Sequence, residues 1–159
     1  MEYEIIPDSG GTAAEHYLKI GSGKFYTVRT SGRDLLRVEV DNDDRNPFND
    51  GVVWRGYFCL GTGGVIIAVD LTTLEYKRYS VDWYFGSFLE REETLFAASA
   101  AGVLAFDKNM DLLWRNESLA VDGVTFGGVC GGVLEISCEL DPPGGWVDKR
   151  LDIQTGREL

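Results

Sequence analysis

Apolar and polar residues alternate in short runs along most of the chain, and glycines or polar clusters break the runs every few residues. A period of two places successive side chains on opposite faces of an extended strand, so the pattern predicts strands joined by tight turns. Residues 24–30 and 34–41 alternate around Ser31-Gly32-Arg33, a hairpin signal. Residues 95–116, LFAASAAGVLAFDKNMDLLWRN, give an apolar run, a break at Gly102, a second apolar run ending in Asp107, a polar turn and a Trp.

Two stretches carry a helical period instead. Thr12-Ala13-Ala14-Glu15 has the form of a capping box, which predicts a short helix over about 13–19 before Gly21. Ser87-Phe88-Leu89-Glu90 is a second such box, and Phe88, Glu92, Leu95, Phe96 and Ser99 fall on one helical face. A helix over 88–100 therefore competes with a strand over 94–99. The helix would make the fold α+β with an antiparallel sheet.

Repetition favours the strand. Residues 57–79 follow the order of 95–116: an apolar run, a Gly pair, Ala68-Val69-Asp70, a polar turn and an alternating strand. Ala105-Phe106-Asp107 repeats the tripeptide 37 positions later, and a third copy in 132–159 places Asp152 a further 45 positions on, after a longer Pro142-Pro143-Gly144-Gly145 loop. Each copy is preceded by an aspartate and a short β-branched or aromatic run, at Asp50, Asp82 and Asp122. Four short strands per unit at these spacings suit the blades of a propeller. The expected architecture is all-β: a single domain over 1–159, a small β-propeller-like array of about four antiparallel blades. Residues 1–50 are a divergent first unit with a short helix, and 51–159 are three blade-like repeats. The opening Glu2-Tyr3-Glu4-Ile5-Ile6 is expected to add a strand to the last unit, joining the termini. The aspartate after each strand is expected to accept backbone hydrogen bonds from the turn that follows.

The units at 50–159 resemble blades of the quinoprotein-type β-propeller. Ala105-Phe106-Asp107 with Trp114, and Asp152 with Thr155-Gly156, carry the resemblance best. It implies the blade fold. Quinone-dependent dehydrogenase activity is set aside, because it requires a larger propeller with cofactor-clamping residues. The dipeptide of WD-repeat proteins is absent.

With 26 acidic against 15 basic residues, the formal net charge is -11. Such a chain repels phosphate backbones and anionic lipids, so neither nucleic acid nor a membrane is an expected partner. The acids are spread along the chain, which has no basic n-region and no spanning apolar segment; a cytoplasmic protein is the expectation. Cys59, Cys130 and Cys138 lie in apolar or glycine-rich runs and read as buried reduced thiols.

The chemistry is sparse. His16 is the one histidine, so a Ser-His-Asp or Cys-His site has a single base, remote in sequence from every thiol. No catalytic residue, metal site or cofactor is assigned. The 41–50 loop is the densest oxygen-ligand cluster, but Arg45 occupies a ligand position and no distal Glu follows, so a solvated turn is expected. Gly61-Thr62-Gly63-Gly64 lacks the Lys-Ser/Thr ending of a phosphate loop and reads as a hairpin.

The expected function is a non-enzymatic protein-binding module that presents carboxylates and aromatic rings to a basic protein. The candidate contacts are Asp41, Asp43, Asp44, Asp50, Trp83 and Tyr84. By analogy with small acidic bacterial proteins, the partner would be a cationic toxin and the chain its immunity protein. Monomer and dimer both suit this role. The alternative is a small hydrolase using paired carboxylates among Asp82, Glu90, Glu92 and Glu93, or a metal in the 41–50 loop.

Overall fold

The computed structural model describes residues 2–8, 13–43 and 48–159. All regular structure in them is β, arranged as four separate sheets in chain order. The first contains β1 (Tyr3–Asp8), β2 (His16–Lys19), β3 (Gly23–Thr30) and β4 (Arg33–Asp41), in the order β1-β3-β4-β2. The second runs in sequence through β5 (Asn49–Trp54), β6 (Tyr57–Thr62), β7 (Val65–Asp70) and β8 (Tyr76–Ser80). The third does the same with β9 (Phe85–Arg91), β10 (Thr94–Ser99), β11 (Val103–Phe106) and β12 (Leu112–Asn116). The fourth has three strands, β13 (Val124–Cys130), β14 (Val133–Glu139) and β15 (Trp146–Asp152). The leading strands β1, β5, β9 and β13 neighbour one another in turn, so the architecture is propeller-like.

Tight turns follow local backbone preference. Ser31-Gly32, Arg55-Gly56 and Gly131-Gly132 each place both central residues at positive φ, matching the twist of the two strands they join. Gly63-Gly64 closes the β6–β7 hairpin.

Two sequence expectations are corrected, and of the two rival readings around 88–100 the favoured strand holds. Residues 16–19 form β2, which pairs parallel with β4, rather than part of a helix; Thr12, the cap of that expected helix, lies outside the described residues. The opening strand pairs antiparallel with β3, Ile5 opposite Val28, and so belongs to the first sheet and not the last. The alternative helix over 88–100 is absent: the favoured strand over 94–99 is β10, and it turns back on β9 at Glu92 with φ +50°. Its helical period was coincidental with an apolar run whose two faces are both buried. Leu95 and Ala97 enter the core against the second sheet, and Phe96 and Ala98 the core against the fourth.

Burial explains why the runs differ along the chain. Apolar cores join the first sheet to the second, the second to the third and the third to the fourth. Among the described residues no such core joins the first to the fourth. The end sheets instead carry polar outer faces. On the fourth, Glu135 stands opposite Arg150 and Ser137 opposite Asp148, while Leu134 and Ile136 point inward. On the first, Arg37 stacks on Phe25 at 4.2 Å, Arg29 pairs with Asp34 at 2.6 Å, and Glu39 takes hydrogen bonds from the Tyr17 hydroxyl and the Gly23 N–H. Polar side chains thus line the outer face of each end sheet.

Each repeat's aspartate holds its turn as the sequence suggests. Asp70 Oδ1 accepts the N–H groups of Thr72 and Thr73, Asp107 Oδ1 those of Asn109 and Asp111, and Asp152 Oδ1 those of Gln154 and Thr155. The Thr155 hydroxyl also donates to Asp152, which holds that carboxyl below its usual range. Each turn then passes through a left-handed residue: Leu74, Met110 and Gly156. The preceding sheet's last strand clamps two of these turns. The Tyr79 hydroxyl donates to the Met110 carbonyl at 2.6 Å, and Trp114 Nε1 donates to the Ile153 carbonyl at 2.9 Å.

The Trp114 ring lies so close over Gly156 that a Cβ there would come within 2.3 Å of it. Gly156→Ala should therefore cost roughly 2–5 kcal/mol, the sum of an overpacked contact and a left-handed alanine. Gly32→Ala, at φ +76° with nothing within 4 Å, should bear only the backbone part. Urea denaturation midpoints of the two variants check the difference; equal losses would mean that the clamp is slack.

Candidate functional site

The loops that lead into β5, β9 and β13 come together at one end of the array. Phe48 precedes β5, Trp83 and Tyr84 precede β9, and Asp122 and Gly123 precede β13. The rings of Phe48 and Tyr84 lie 6.0 Å apart. The Tyr84 hydroxyl donates to Asp122 Oδ1 at 2.7 Å, and Gly123 approaches the Trp146 ring closely enough that a Cβ would sit 3.2 Å from it. These contacts link successive loops across the second, third and fourth sheets.

Backbone hydrogen bonds fix the loops. The Phe85 N–H donates to the Gly63 carbonyl at 2.7 Å, the Ala100 N–H to the Tyr84 carbonyl at 2.9 Å, and the Gly123 N–H to the Ala100 carbonyl at 2.8 Å. Beneath them Glu117, almost fully buried, accepts from the Asp82 N–H at 2.8 Å and the Ser99 hydroxyl at 2.9 Å, and pairs with Arg115 at 3.2 Å. A floor so fully bonded keeps the side chains above it in place without help from a ligand.

Above that floor lies an open cleft of about 470 Å³, walled by Phe48, Tyr84, Thr125 and Trp146 with the carboxylates of Asp122 and Glu139. Glu139 is positioned by the Gly144 N–H, which donates to its Oε1 at 2.6 Å. No lysine, arginine or histidine is among the residues that wall the cleft. Burial, the hydrogen bond to Asp122 and the charges of Asp122 and Glu139 together push the Tyr84 hydroxyl up to about 12. Beside the cleft, Trp83 is 81% exposed and sits at φ +65°, a backbone region that bulky residues seldom occupy. Such outliers concentrate at functional sites.

The residues expected from sequence are divided between two places. Tyr84 walls this cleft and Trp83 flanks it. Asp41 and Asp43 line a different cleft of about 520 Å³ between the first and second sheets, which also contains Arg78 and Thr62. There Asp41 Oδ1 accepts the Ser22 N–H at 3.0 Å, and Asp43 packs against Gly63. Asp50 is half-buried within β5 opposite Gly61. Asp44 lies outside the described residues, as do the other positions 45–47 of the acidic loop. Asp122, Glu139, Trp146 and Phe48 were not expected as contacts. Asp122 had a signal, since it occupies the repeat position of Asp50 and Asp82; Glu139 and Trp146 are joined only by the β14–β15 hairpin.

The other candidate chemistry does not assemble. Glu93 pairs with Arg55 at 2.6 Å, and Asp82 uses its backbone N–H as a tether for its loop. Among the described residues no three His, Cys, Asp or Glu side chains are grouped to hold a metal ion. His16 is exposed on β2. The cysteines are free thiols; Cys59 and Cys138 are buried, and burial pushes both thiols up, whereas Cys130 is exposed next to the Gly131-Gly132 turn, contrary to the sequence reading. No helix among the described residues is long and apolar enough to cross a membrane.

The raised Tyr84 hydroxyl has a consequence at high pH. In the unfolded chain it ionises near the usual value of about 10, so the folded state holds the proton longer and stability falls as pH rises from about 10 through about 12. Asp122→Asn should bring the Tyr84 ionisation down and narrow that window. Phenolate absorbance of the parent and Asp122→Asn proteins, each with Tyr84→Phe as reference, checks it; an unchanged titration would show that Asp122 exerts no field on the ring.

No protein family and no curated protein matches the chain. Among solved structures it is similar to the computationally designed Ika8 protein, with a TM-score of 0.62 and 13% identity over 84% of this chain and 41% of that one. The chain thus spans about two-fifths of the length of that design, and the likeness is one of fold.

Proposed function

We propose that the chain is a non-enzymatic binding module whose loop face receives a basic protein. The observation that carries this reading is the concentration of aromatic rings on that face within a chain of net charge -11. Trp83, Phe48 and Trp146 are all substantially exposed there, at 81%, 52% and 49%. Aromatic anchors of this kind supply most of the energy in protein interfaces, and a strong opposite charge accelerates the encounter. The blades are proposed to be of the quinoprotein type, on the strength of the aspartate-held turns and the Trp114 ring over Gly156. In that proposal they are scaffold, and the loops between them recognise the partner.

A cationic toxin is the partner that this chemistry suits best, and occupation of its basic surface by an acidic module would neutralise it. Asp41 and Asp43, in the neighbouring cleft, would then act through their field and steer association.

The reading is tested by capture from extracts of the source cell at low salt, with the parent protein, Trp83→Ala and the double charge reversal Asp41→Lys/Asp43→Lys. The expected result is a basic protein retained by the parent, lost at high salt, and bound at least tenfold more weakly by Trp83→Ala. The double reversal should slow association and leave dissociation nearly unchanged. Capture of neutral or acidic proteins alone, or a basic one held equally by all three, would defeat the proposal.

A further inference from the structure

We infer that the cleft between Tyr84 and Trp146 is a receptor for an arginine side chain of a protein partner. This inference rests on the binding-module reading and narrows it to one pocket and one kind of side chain. A guanidinium is planar, stacks on aromatic faces and donates in a fork that two carboxylate oxygens can accept. The cleft presents the complement of each property.

Three aromatic rings line it, Phe48, Tyr84 and Trp146, the first two 6.0 Å apart. Asp122 and Glu139 supply its charge, and each is anchored by one oxygen. Asp122 Oδ1 is held by the Tyr84 hydroxyl at 2.7 Å, and Glu139 Oε1 by the Gly144 N–H at 2.6 Å. The second oxygen of each is left to a ligand.

Neither carboxylate is neutralised from within the described chain, as several others are. Glu15, Asp34, Glu39, Glu93, Asp111, Glu117 and Glu158 each pair with a lysine or arginine of the chain. Asp122 and Glu139 have no such partner among the described residues, although they share a partly enclosed cleft with apolar walls. Two like charges placed together in such surroundings favour an incoming cation. The upward displacement of the Tyr84 ionisation, to which both contribute, is a second sign of that local field.

The fixed floor matters for selectivity. With Tyr84 and Gly123 both bonded through Ala100, the rings and carboxylates stay at a set spacing. A flat guanidinium exploits that geometry, whereas a round, strongly hydrated ammonium does not. Arginine should therefore be preferred to lysine.

The probe is a hexa-arginine peptide, with hexa-lysine and hexa-glutamate peptides for comparison, titrated into the full chain and followed by amide NMR shifts and tryptophan fluorescence. Hexa-arginine should bind at low salt, with shifts centred on Tyr84, Asp122, Glu139 and Trp146, and more tightly than hexa-lysine. Asp122→Asn and Glu139→Gln keep the anchoring acceptors but remove the charge, so each should weaken binding about tenfold without unfolding the chain. Trp146→Leu should do the same while leaving every charge in place. Arginine binding that persists undiminished in these variants, or shifts that map to Asp41 and Asp43, would overturn the pocket and leave the broader reading standing. Failure of both cationic peptides to bind would overturn the pocket; the broader reading would then stand or fall on the capture experiment.

Discussion

Stacking of one sheet against the next is the constraint from which the rest follows. A four-stranded sheet with two apolar faces has no stable existence in water, and a sheet this small gains little from its own hydrogen bonds. The chain meets the difficulty by making the register of each stack specific as well as apolar. The aspartate that ends a repeat's middle strand shapes a turn through its side chain, and the last strand of the preceding sheet sets an aromatic residue on that turn. Tyr79 over the turn after Asp107, and Trp114 over the turn after Asp152, each add a hydrogen bond to a backbone carbonyl that only one alignment of the sheets satisfies. Apolar burial supplies the attraction, and these directional bonds select the arrangement.

Fixing the stack also fixes the loops that join the sheets. Entry into β5, β9 and β13 occurs at the same end of each sheet, so the connecting segments meet there as a consequence of regular stacking. Apart from Val81, Leu119 and Ala120, which pack into the cores, their side chains need satisfy no periodic pattern. An exposed tryptophan in a strained backbone and two unpaired carboxylates can therefore be carried at little expense to the fold. Local stability elsewhere, such as Glu117 beneath the loops, compensates for the tension above.

The repeats were legible because strand alternation, turn residues and the Ala-x-Asp landmark all state the same thing. Where only one signal spoke, the sequence left a rival open or misled. Phe88, Leu95 and Phe96 mimic a helical stripe because β10 is buried on both faces, so apolar residues fill consecutive positions and any period can be drawn through them. The Thr12 capping pattern had no tertiary partner to weigh against it, and pairing of residues 16–19 with β4 prevailed. The site was half legible. Trp83 and Tyr84 stood out as aromatics beside an acid, but Glu139 and Trp146 reach the cleft only through the fold of the fourth sheet, and the acidic loop drew attention by density alone. Density of charge says nothing about where opposite charges lie. Several salt bridges join residues distant in sequence, as Arg55 does with Glu93, so which carboxylates share a cleft without a cation could be recognised only in three dimensions.

The polar outer faces of the first and fourth sheets bear on how such a protein can change in length. A unit stacked on either outer face would have to accommodate Arg29, Asp34, Glu135 or Arg150. The second and third sheets, apolar on both sides, have no such polarity. A duplicated middle segment, by contrast, inherits both an aspartate-held turn to be gripped and an aromatic with which to grip the next. The means of joining one sheet to the next is thus carried within each repeat.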